Sequence, residues 1–463
     1  MSKYLKKINK NLEIKDFDKY FFVVILISTI SVLIYNIINY QIFFGYDADA
    51  HIRYVNAIAM YLPRTFRLPL SYETYEYFSP PVGYIFPAFI QIVCRNLANA
   101  ENLVTHCVPI YGKFTQAFQS LIFLITIYFY MKSVNIYLNI NKKFSFSVLL
   151  MISILTVNYR TISMIRGEPY ILFFLSIILY LFLKFTKSEY RFSKKNMVLF
   201  GICLGLMGLS RQWGLLIFPA FFAVFFSVEK KHKNNYFKFL VIVFFIALII
   251  ISPFFLSLYN NYGSITSFNK DSYGFDLRNQ PLNFYNPVNQ DSLNVFVKPI
   301  RGNFDNQVLP ILYSDLWGDY WGYFAFTSNY LEQGRNQKSI GDYFARVNLV
   351  STIPTIILII GFLNLKNNKT NKIFNRWIKY SILFSFLGYM WFLISYPEIP
   401  SGDTIKSTYI IQLFHLLSIT AAIYLENLKI LDRKKYNLLM FFLVAIYFHN
   451  LPAMLSHFGP VSL

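Results

Sequence analysis

Residues 21–44, FFVVILISTISVLIYNIINYQIFF, carry no charge, and residues 45–55, GYDADAHIRYV, follow at once with two carboxylates, a histidine and an arginine. A membrane span needs about 20 apolar residues, so the first stretch reads as a crossing helix. Charges set down at a membrane edge are costly unless solvated or paired, so the second stretch is either a wet loop or the start of a site. Similar apolar runs recur along all 463 residues, of which 55% are hydrophobic and 14% charged. That composition belongs to a polytopic membrane protein. Eleven candidate spans are read at 21–44, 108–131, 144–159, 169–183, 196–209, 214–228, 239–259, 347–365, 380–395, 407–425 and 437–449. The first is too long, and lacks the small-residue cleavage site, to be a removed signal peptide.

Lysine and arginine are retained on the cytoplasmic side, which orients the chain. With the N-terminus inside, segments 1–20, 132–143, 184–195, 229–238, 366–379 and 426–436 face inward and hold 27 of the 43 basic and 7 of the 23 acidic residues. The remainder balances at 16 and 16, so the inner face carries the whole +20. The expected topology is N-terminus cytoplasmic and C-terminus outside. The basic excess is then a topology signal that also attracts anionic lipid headgroups, and it calls for no nucleic acid. Arginine is distributed differently from lysine. Only Arg191, Arg376 and Arg433 lie inside, against 11 of the 16 outer basic residues. Planar, multi-donor arginine suits phosphate or carboxylate binding, although it equally suits half-buried structural ion pairs.

Two outer segments are long. Residues 45–107 read as two interfacial helices: Ala50, Tyr54, Ile58 and Tyr61 share one helical stripe, and Asp49 and Arg53 stand four apart on another. Ser79 and Pro80 read as N-cap and first-turn residues of the second helix, PPVGYIFPAFIQIVCRNL. Residues 260–346, rich in Asn, Tyr, Phe and Trp, read as a small folded extracytoplasmic cap, with Trp317 and Trp321 at its hydrophobic centre. The chain thus divides into an N-terminal membrane module, 1–259, the cap, and a C-terminal membrane module, 347–463. Cys94 and Cys107 both fall outside and are able to pair; Cys203 lies in a span and reads as packing.

The singular polar residues gather at one depth, the outer ends of spans. Asp47, Asp49, His51 and Arg53 follow the first; Arg166 and Glu168 in MIRGEP precede the fourth; Arg211 in LSRQWG lies between the fifth and sixth; Asp403 and Lys406 in GDTIKSTY open the tenth. Carboxylates and cations at an outer interface fit transfer of a glycosyl group from a polyprenyl-phosphate sugar. A carboxylate takes the proton of the attacking hydroxyl, and a cation stabilises the leaving phosphate. Asp47 is the proposed base, with Asp49 and Glu168 as carboxylates that orient acceptor or base. Arg166, Arg211 and Lys406 are candidate phosphate ligands, and His51, Arg53, Tyr84 and Asp403 are further substrate-binding candidates. Asp49 reads equally as the salt-bridge partner of Arg53, Glu168 as an ordinary helix-start acid, and His51 as a hydrogen-bonding support. The DAD spacing matches the metal motif of nucleotide-sugar enzymes, but those substrates are cytoplasmic and this motif is outside. No cofactor is called for; a divalent metal is compatible but not predicted.

At these residues the chain resembles the GT-C superfamily of polytopic glycosyltransferases. YDADAHIRYVNAIAMYLP followed by FSPPVGYIFPAF is similar to the family's Asp-x-x-x-His … Leu-Pro … Pro-Pro-x-x-Tyr pattern, with Asp47 first, His51 fifth and Tyr84 closing it. RGEPYILFF and GLMGLSRQWGLLIFPAF are similar to its later span-entry segments, and the resemblance covers about the first 230 residues. It implies an aspartate base in the first outer loop, a lipid-linked donor and inversion at the anomeric carbon. Many relatives have adjacent Asp-Glu where this chain has Asp47-Ala48-Asp49, which leaves either aspartate as the base. LWGDYWGYF, residues 316–324, resembles faintly the Trp-Trp-Asp motif of oligosaccharyltransferases, without that branch's large soluble domain.

The expected protein is therefore an all-α, multi-pass glycosyltransferase of about eleven transmembrane helices in a prokaryotic inner membrane; an endoplasmic-reticulum membrane fits the same topology. Its expected partners are a polyprenyl-phosphate-linked sugar, membrane lipids and a glycan, lipid or protein acceptor. The rival enzyme is an oligosaccharide ligase or oligosaccharyltransferase with a pyrophosphate donor. The rival from another class is a lipid-linked-sugar flippase, which would place charges near the bilayer midplane and carry an internal repeat.

Overall fold

The computed structural model describes residues 2–42, 45–65, 67–98, 103–140, 144–286, 290–302, 304, 306–322, 324, 337–365 and 371–456. Among these the regular structure is entirely helical. The first half contains α1 (Ser2–Ile38), α2 (Ala48–Thr65), α3 (Val82–Ala98), α4 (Leu103–Leu138), α5 (Phe146–Ser153), α6 (Thr156–Ser163), α7 (Glu168–Lys187), α8 (Lys194–Gly208), α9 (Phe218–Phe225) and α10 (Lys230–Tyr262). The second contains α11 (Leu282–Tyr285), α12 (Val308–Trp317), α13 (Gln337–Leu363), α14 (Lys372–Ser395), α15 (Ile411–Leu431) and α16 (Arg433–Asn450).

Eight helices among the described residues are long and apolar enough to cross a membrane, where eleven spans are read from the sequence. The three that differ are 144–159, 196–209 and 214–228. The first is α5 and α6, bent by 66° at their junction; counted as one span, they make nine. No Pro or Gly marks that bend. The carbonyls it leaves open are satisfied by side chains instead: the Asn158 amide donates to Ile152 O at 2.8 Å and the Tyr159 hydroxyl to Ser153 O at 2.9 Å. His415 on α15 holds Asn158 in turn, at 2.8 Å from Nε2 to Oδ1.

The other two differences are α8 and the run formed by the 3-10 turn Gln212–Ile217 with α9. Fifteen residues of α8 rise roughly 22 Å, short of the roughly 30 Å of hydrocarbon. Alongside it α10 has 33 residues and overshoots it by half its length. Gly201 and Gly205 permit the close packing: a Cβ on either would lie 2.8 Å from Ile246 or Ile250 of α10. The turn that carries Arg211 is therefore sunk below the end of α10, and the short pair floors a recess walled by longer helices.

Residues 45–107 form two helices among those described, α2 and α3, where two are expected. Ala50, Tyr54 and Ile58 of α2 are buried, and Asp49 and Arg53 pair at 2.8 Å on its exposed face. Cys94 and Cys107 form a disulfide that ties α3 to α4, and Cys203 is a buried free thiol. Ser79 is not the cap of α3, which begins at Val82 with its N–H on Leu209 O at 3.1 Å. The Ser79 hydroxyl turns inward to Glu76 and Arg211. The segment after α10 is more than a cap, because α12 is buried with Ile311, Leu316 and Trp317 in the main core. Trp317 and Trp321 are core residues, donating to Thr355 at 3.0 Å and to Ile405 O at 3.2 Å. Residues 325–336 of that segment lie outside the described residues.

Candidate active site

The turn from α1 to α2 sets the site. Gly45 has φ +99°, and a Cβ there would lie 2.1 Å from the Met164 sulfur, so only glycine fits. Asp47 has φ +53° and accepts the His51 N–H on its backbone oxygen at 3.1 Å. An aspartate just before a helix ordinarily has β-region dihedrals and caps the helix with its carboxylate. The left-handed conformation leaves that role unfilled. Among the described residues the Asp47 carboxylate has no ion pair and no side-chain hydrogen bond. It is exposed to a cavity of about 90 Å³ whose lining includes Glu76, Arg211, Asp403, Lys406 and Tyr409.

Of the other sequence-derived groups, Arg211, Asp403 and Lys406 line this cavity, and Arg166, Glu168, His51 and Tyr84 pack around Arg211 outside the lining. Arg211, in the turn after α8, donates to Glu76 at 2.7 Å, meets the Tyr84 hydroxyl at 3.4 Å, and lies 3.4 Å from Glu168. Arg166 grips Glu168 with two hydrogen bonds, at 3.2 and 3.1 Å. All four charged groups are at most 3% exposed, and their charges cancel. Buried charges are tolerated only in such balanced sets. Burial alone would raise the Glu76 carboxyl, but the Arg211 guanidinium and the Ser79 hydroxyl hold it well below the usual carboxylate range. Burial would likewise weaken the Arg211 charge, and Glu76 and Glu168 keep it raised.

His51 is buried against this set, with Nδ1 2.8 Å from the Tyr84 hydroxyl. Burial pushes its imidazole down to about 4, against the pull of Glu76, so it is neutral near pH 7. Lys406 is 4% exposed at its side chain and has Asp403 at 3.6 Å. Aromatic rings surround its ammonium, with Tyr46 at 4.5 Å, Tyr409 at 5.8 Å and Trp321 at 5.9 Å. Burial lowers its pKa, and Tyr409, Asp403 and Asp47 together raise it, leaving a firm cation. Asp49 and Arg53 do not join the site: they are paired on the outer face of α2, 57% and 63% exposed. Arg166 and Glu168 stand one layer behind the cavity wall, with Arg211 between them and the open space.

Four site residues escape the sequence reading. Glu76 sits in the aromatic run SYETYEYF, and nothing local distinguishes it from a solvated loop acid. Arg160, Asp315 and Asp319 form a second buried cluster, with Arg160 at 2.7 Å from Asp315 and 3.3 Å from Asp319. Asp315 also accepts from the Tyr46 hydroxyl at 2.9 Å, and from Ser407 through N–H at 2.7 Å and Oγ at 2.5 Å. It thereby fixes the neighbour of Asp47 and the neighbour of Lys406 to one carboxylate. Its signal was the pair of acids in LYSDLWGDYWGYF, which lie in an otherwise aromatic stretch. Among the described residues no group of three or more His, Cys, Asp or Glu side chains is placed to hold a metal.

No family model matches the chain, and no curated protein does. Solved structures similar to this one include oligosaccharyltransferases. One is the archaeal oligosaccharyltransferase AglB from Archaeoglobus fulgidus in complex with an inhibitory peptide and a dolichol-phosphate, at 13% identity and a TM-score of 0.44. Another is the Archaeoglobus fulgidus oligosaccharyltransferase in the apo form, at 12% identity and a TM-score of 0.46. In each case 96% of this chain is covered but only 57% of the other, so the chain spans little more than half their length.

Proposed function

We propose that this membrane protein transfers a glycosyl group from a polyprenyl-phosphate donor to a hydroxyl acceptor at the outer face of the membrane. The observation that carries the reading is the Asp47 carboxylate, without a partner of its own, in one cavity with the buried cations Lys406 and Arg211. The acceptor hydroxyl attacks the anomeric carbon and gives its proton to Asp47. The bond between that carbon and the phosphate oxygen breaks, and the electron pair leaves with the phosphate. Lys406 and Arg211, which both line the cavity, meet the charge that develops there; a preorganised cation in a desolvated site is the strongest available stabiliser. Attack opposite the leaving phosphate inverts the anomeric centre, as the GT-C resemblance implies. Glu168, itself gripped by Arg166, acts through Arg211, and the Tyr84 hydroxyl, held by His51, meets the same guanidinium. Asp403 tempers Lys406 at the cavity mouth. Asp49, paired with Arg53 away from the cavity, orients α2 and is not the base.

The test is Asp47→Asn in the purified protein with a radiolabelled polyprenyl-phosphate sugar. Asparagine tolerates the same left-handed backbone, so folding is kept. Turnover should fall about 10²- to 10⁴-fold, the usual worth of a general base, while donor binding persists. Asp49→Asn should change turnover by less than about threefold, as an exposed helix pair contributes little. A flippase would be indifferent to Asp47→Asn, and that result would sink the proposal.

A further inference from the structure

Lys270 and Tyr396, which line the cavity at Asp47, also line a second, larger groove of about 750 Å³ beside it. The groove is bounded further by Asp271, Tyr273, Asn279 and Glu398. Its walls are held in place. The Tyr273 N–H donates to Ser395 O at 3.0 Å, the Asn279 amide to Ile394 O at 3.1 Å and the Gln280 amide to Leu393 O at 2.7 Å, which pins the segment after α10 to the last turn of α14. Rings of Phe268 and Phe392, centred 4.9 and 5.3 Å away, fix the Tyr396 ring, and Lys270 is ion-paired with Glu398. A groove built this way is preformed, so a ligand need not order it.

The lining chemistry narrows the occupant. Pro397 and Ile399 are apolar, Tyr273 and Tyr396 offer aromatic faces, and the remaining lining groups are amide, carboxylate and ammonium, so apolar and polar surface alternate along the groove. A lipid tail laid there would cover those polar groups without giving them partners. A hydroxyl-rich ring meets donors and acceptors at several angles, and the phenol faces of Tyr273 and Tyr396 lie open to its C–H surface. Glu398 neutralises Lys270 and Asp271 leaves the lining slightly acidic, so an anionic ligand is disfavoured.

We infer that this groove is a subsite for a neutral oligosaccharide, one end of which reaches the cavity of Asp47 past Lys270 and Tyr396. Its place in the reaction rests on the glycosyl-transfer reading, but saccharide binding does not require turnover. The saccharide is either an acceptor glycan or the outer sugars of a lipid-linked donor, and both present the same chemistry.

The test is saturation-transfer NMR on the full chain in lipid nanodiscs, with maltohexaose, mannohexaose and chitohexaose as probes. At least one should receive magnetisation from the protein. Tyr273→Ala combined with Asp271→Ala should weaken that binding by about tenfold with an unchanged melting temperature, since Tyr273 is 75% exposed and Asp271 is on the surface. Displacement of the probe by a polyprenyl-phosphate-linked oligosaccharide identifies donor sugars as the occupant, and co-binding identifies an acceptor. No transfer from any of the three, undiminished binding in the double variant, or displacement by an unglycosylated Ser-Asn-Gly peptide overturns the inference. Asp47→Asn should bind the saccharide as the wild type does. A saccharide-binding failure beside an inactive Asp47→Asn therefore removes the subsite alone, whereas an active Asp47→Asn removes the reaction.

Discussion

His51 carries a consequence for stability that its neighbours decide. It is buried between Tyr84 and the Glu76–Arg211 pair, and its imidazole is pushed down to about 4 from an ordinary 6.5. Between those values the unfolded chain binds a proton that the folded chain does not, so stability rises with pH across the window and is lost as pH falls from 6.5 toward 4. Glu76 acts in the same sense below its ordinary 4.5, because its carboxylate is held well under that value in the fold. The melting temperature in detergent, followed by tryptophan fluorescence, should be flat above pH 7 and fall steadily between pH 6.5 and 4. His51→Gln, which can keep the hydrogen bond to Tyr84, should flatten the upper part of that fall. A wild-type curve unchanged down to pH 4.5 would show that the imidazole is not desolvated. Asp47 illustrates a different residue-scale limit. Its identity and its place after the first apolar run are legible in the sequence, but its left-handed backbone is not, because the close approach of Gly45 to Met164 that shapes the turn joins residues far apart in the chain.

Arg211 joins three elements that the sequence keeps apart: the turn between α2 and α3 through Glu76, the start of α7 through Glu168, and the turn after α8 on which it stands. Glu76→Gln leaves one uncompensated buried cation, and Arg211→Met one uncompensated buried carboxylate. Either should cost about 3–5 kcal/mol, the usual penalty for breaking a buried pair. The double variant leaves Arg166 and Glu168 to balance each other and should recover most of that loss, a strongly non-additive cycle in melting or denaturation measurements. Activity should not recover, because Arg211 itself lines the cavity. Additive losses would mean that the two groups are solvated rather than buried together. Arg166, Glu168, Arg211 and Lys406 are visible in the sequence because each stands alone at the end of an apolar run, where a charge needs a reason. Arg160 and Asp315 are not visible in that way. The bend between α5 and α6 that places Arg160 is built by Asn158, Tyr159 and His415 rather than by a Pro or Gly, and α12 reads as loop until the partner cluster that buries it is seen.

For the whole molecule, the span count decides what the charge asymmetry means. Hydropathy finds eleven apolar runs because it measures residues, not rise; α8 and α9 are apolar but too short to cross alone, and α5 and α6 are one run bent in two. In the topology expected from the sequence the short pair enters and leaves from one side, since both flanks, 184–195 and 229–238, are rich in Lys while the turn at Arg211 lines the cavity. A hairpin of two short helices leaves the alternation of the remaining spans unchanged, so the expected partition of basic residues is the same with nine spans as with eleven. Single cysteines introduced at exposed positions test this. Glu189→Cys and Lys231→Cys, flanking the hairpin, should both resist a membrane-impermeant maleimide in intact cells and react once the membrane is opened. Tyr72→Cys in the first outer loop and Leu282→Cys in the segment after α10, 80% and 87% exposed in the wild type, should react in intact cells. Labelling of Glu189→Cys and Lys231→Cys from opposite sides would make α8 and α9 an odd crossing. It would also separate the Arg211 turn from the first outer loop, and the cavity shared by Asp47 and Arg211 would then have no membrane face to open on.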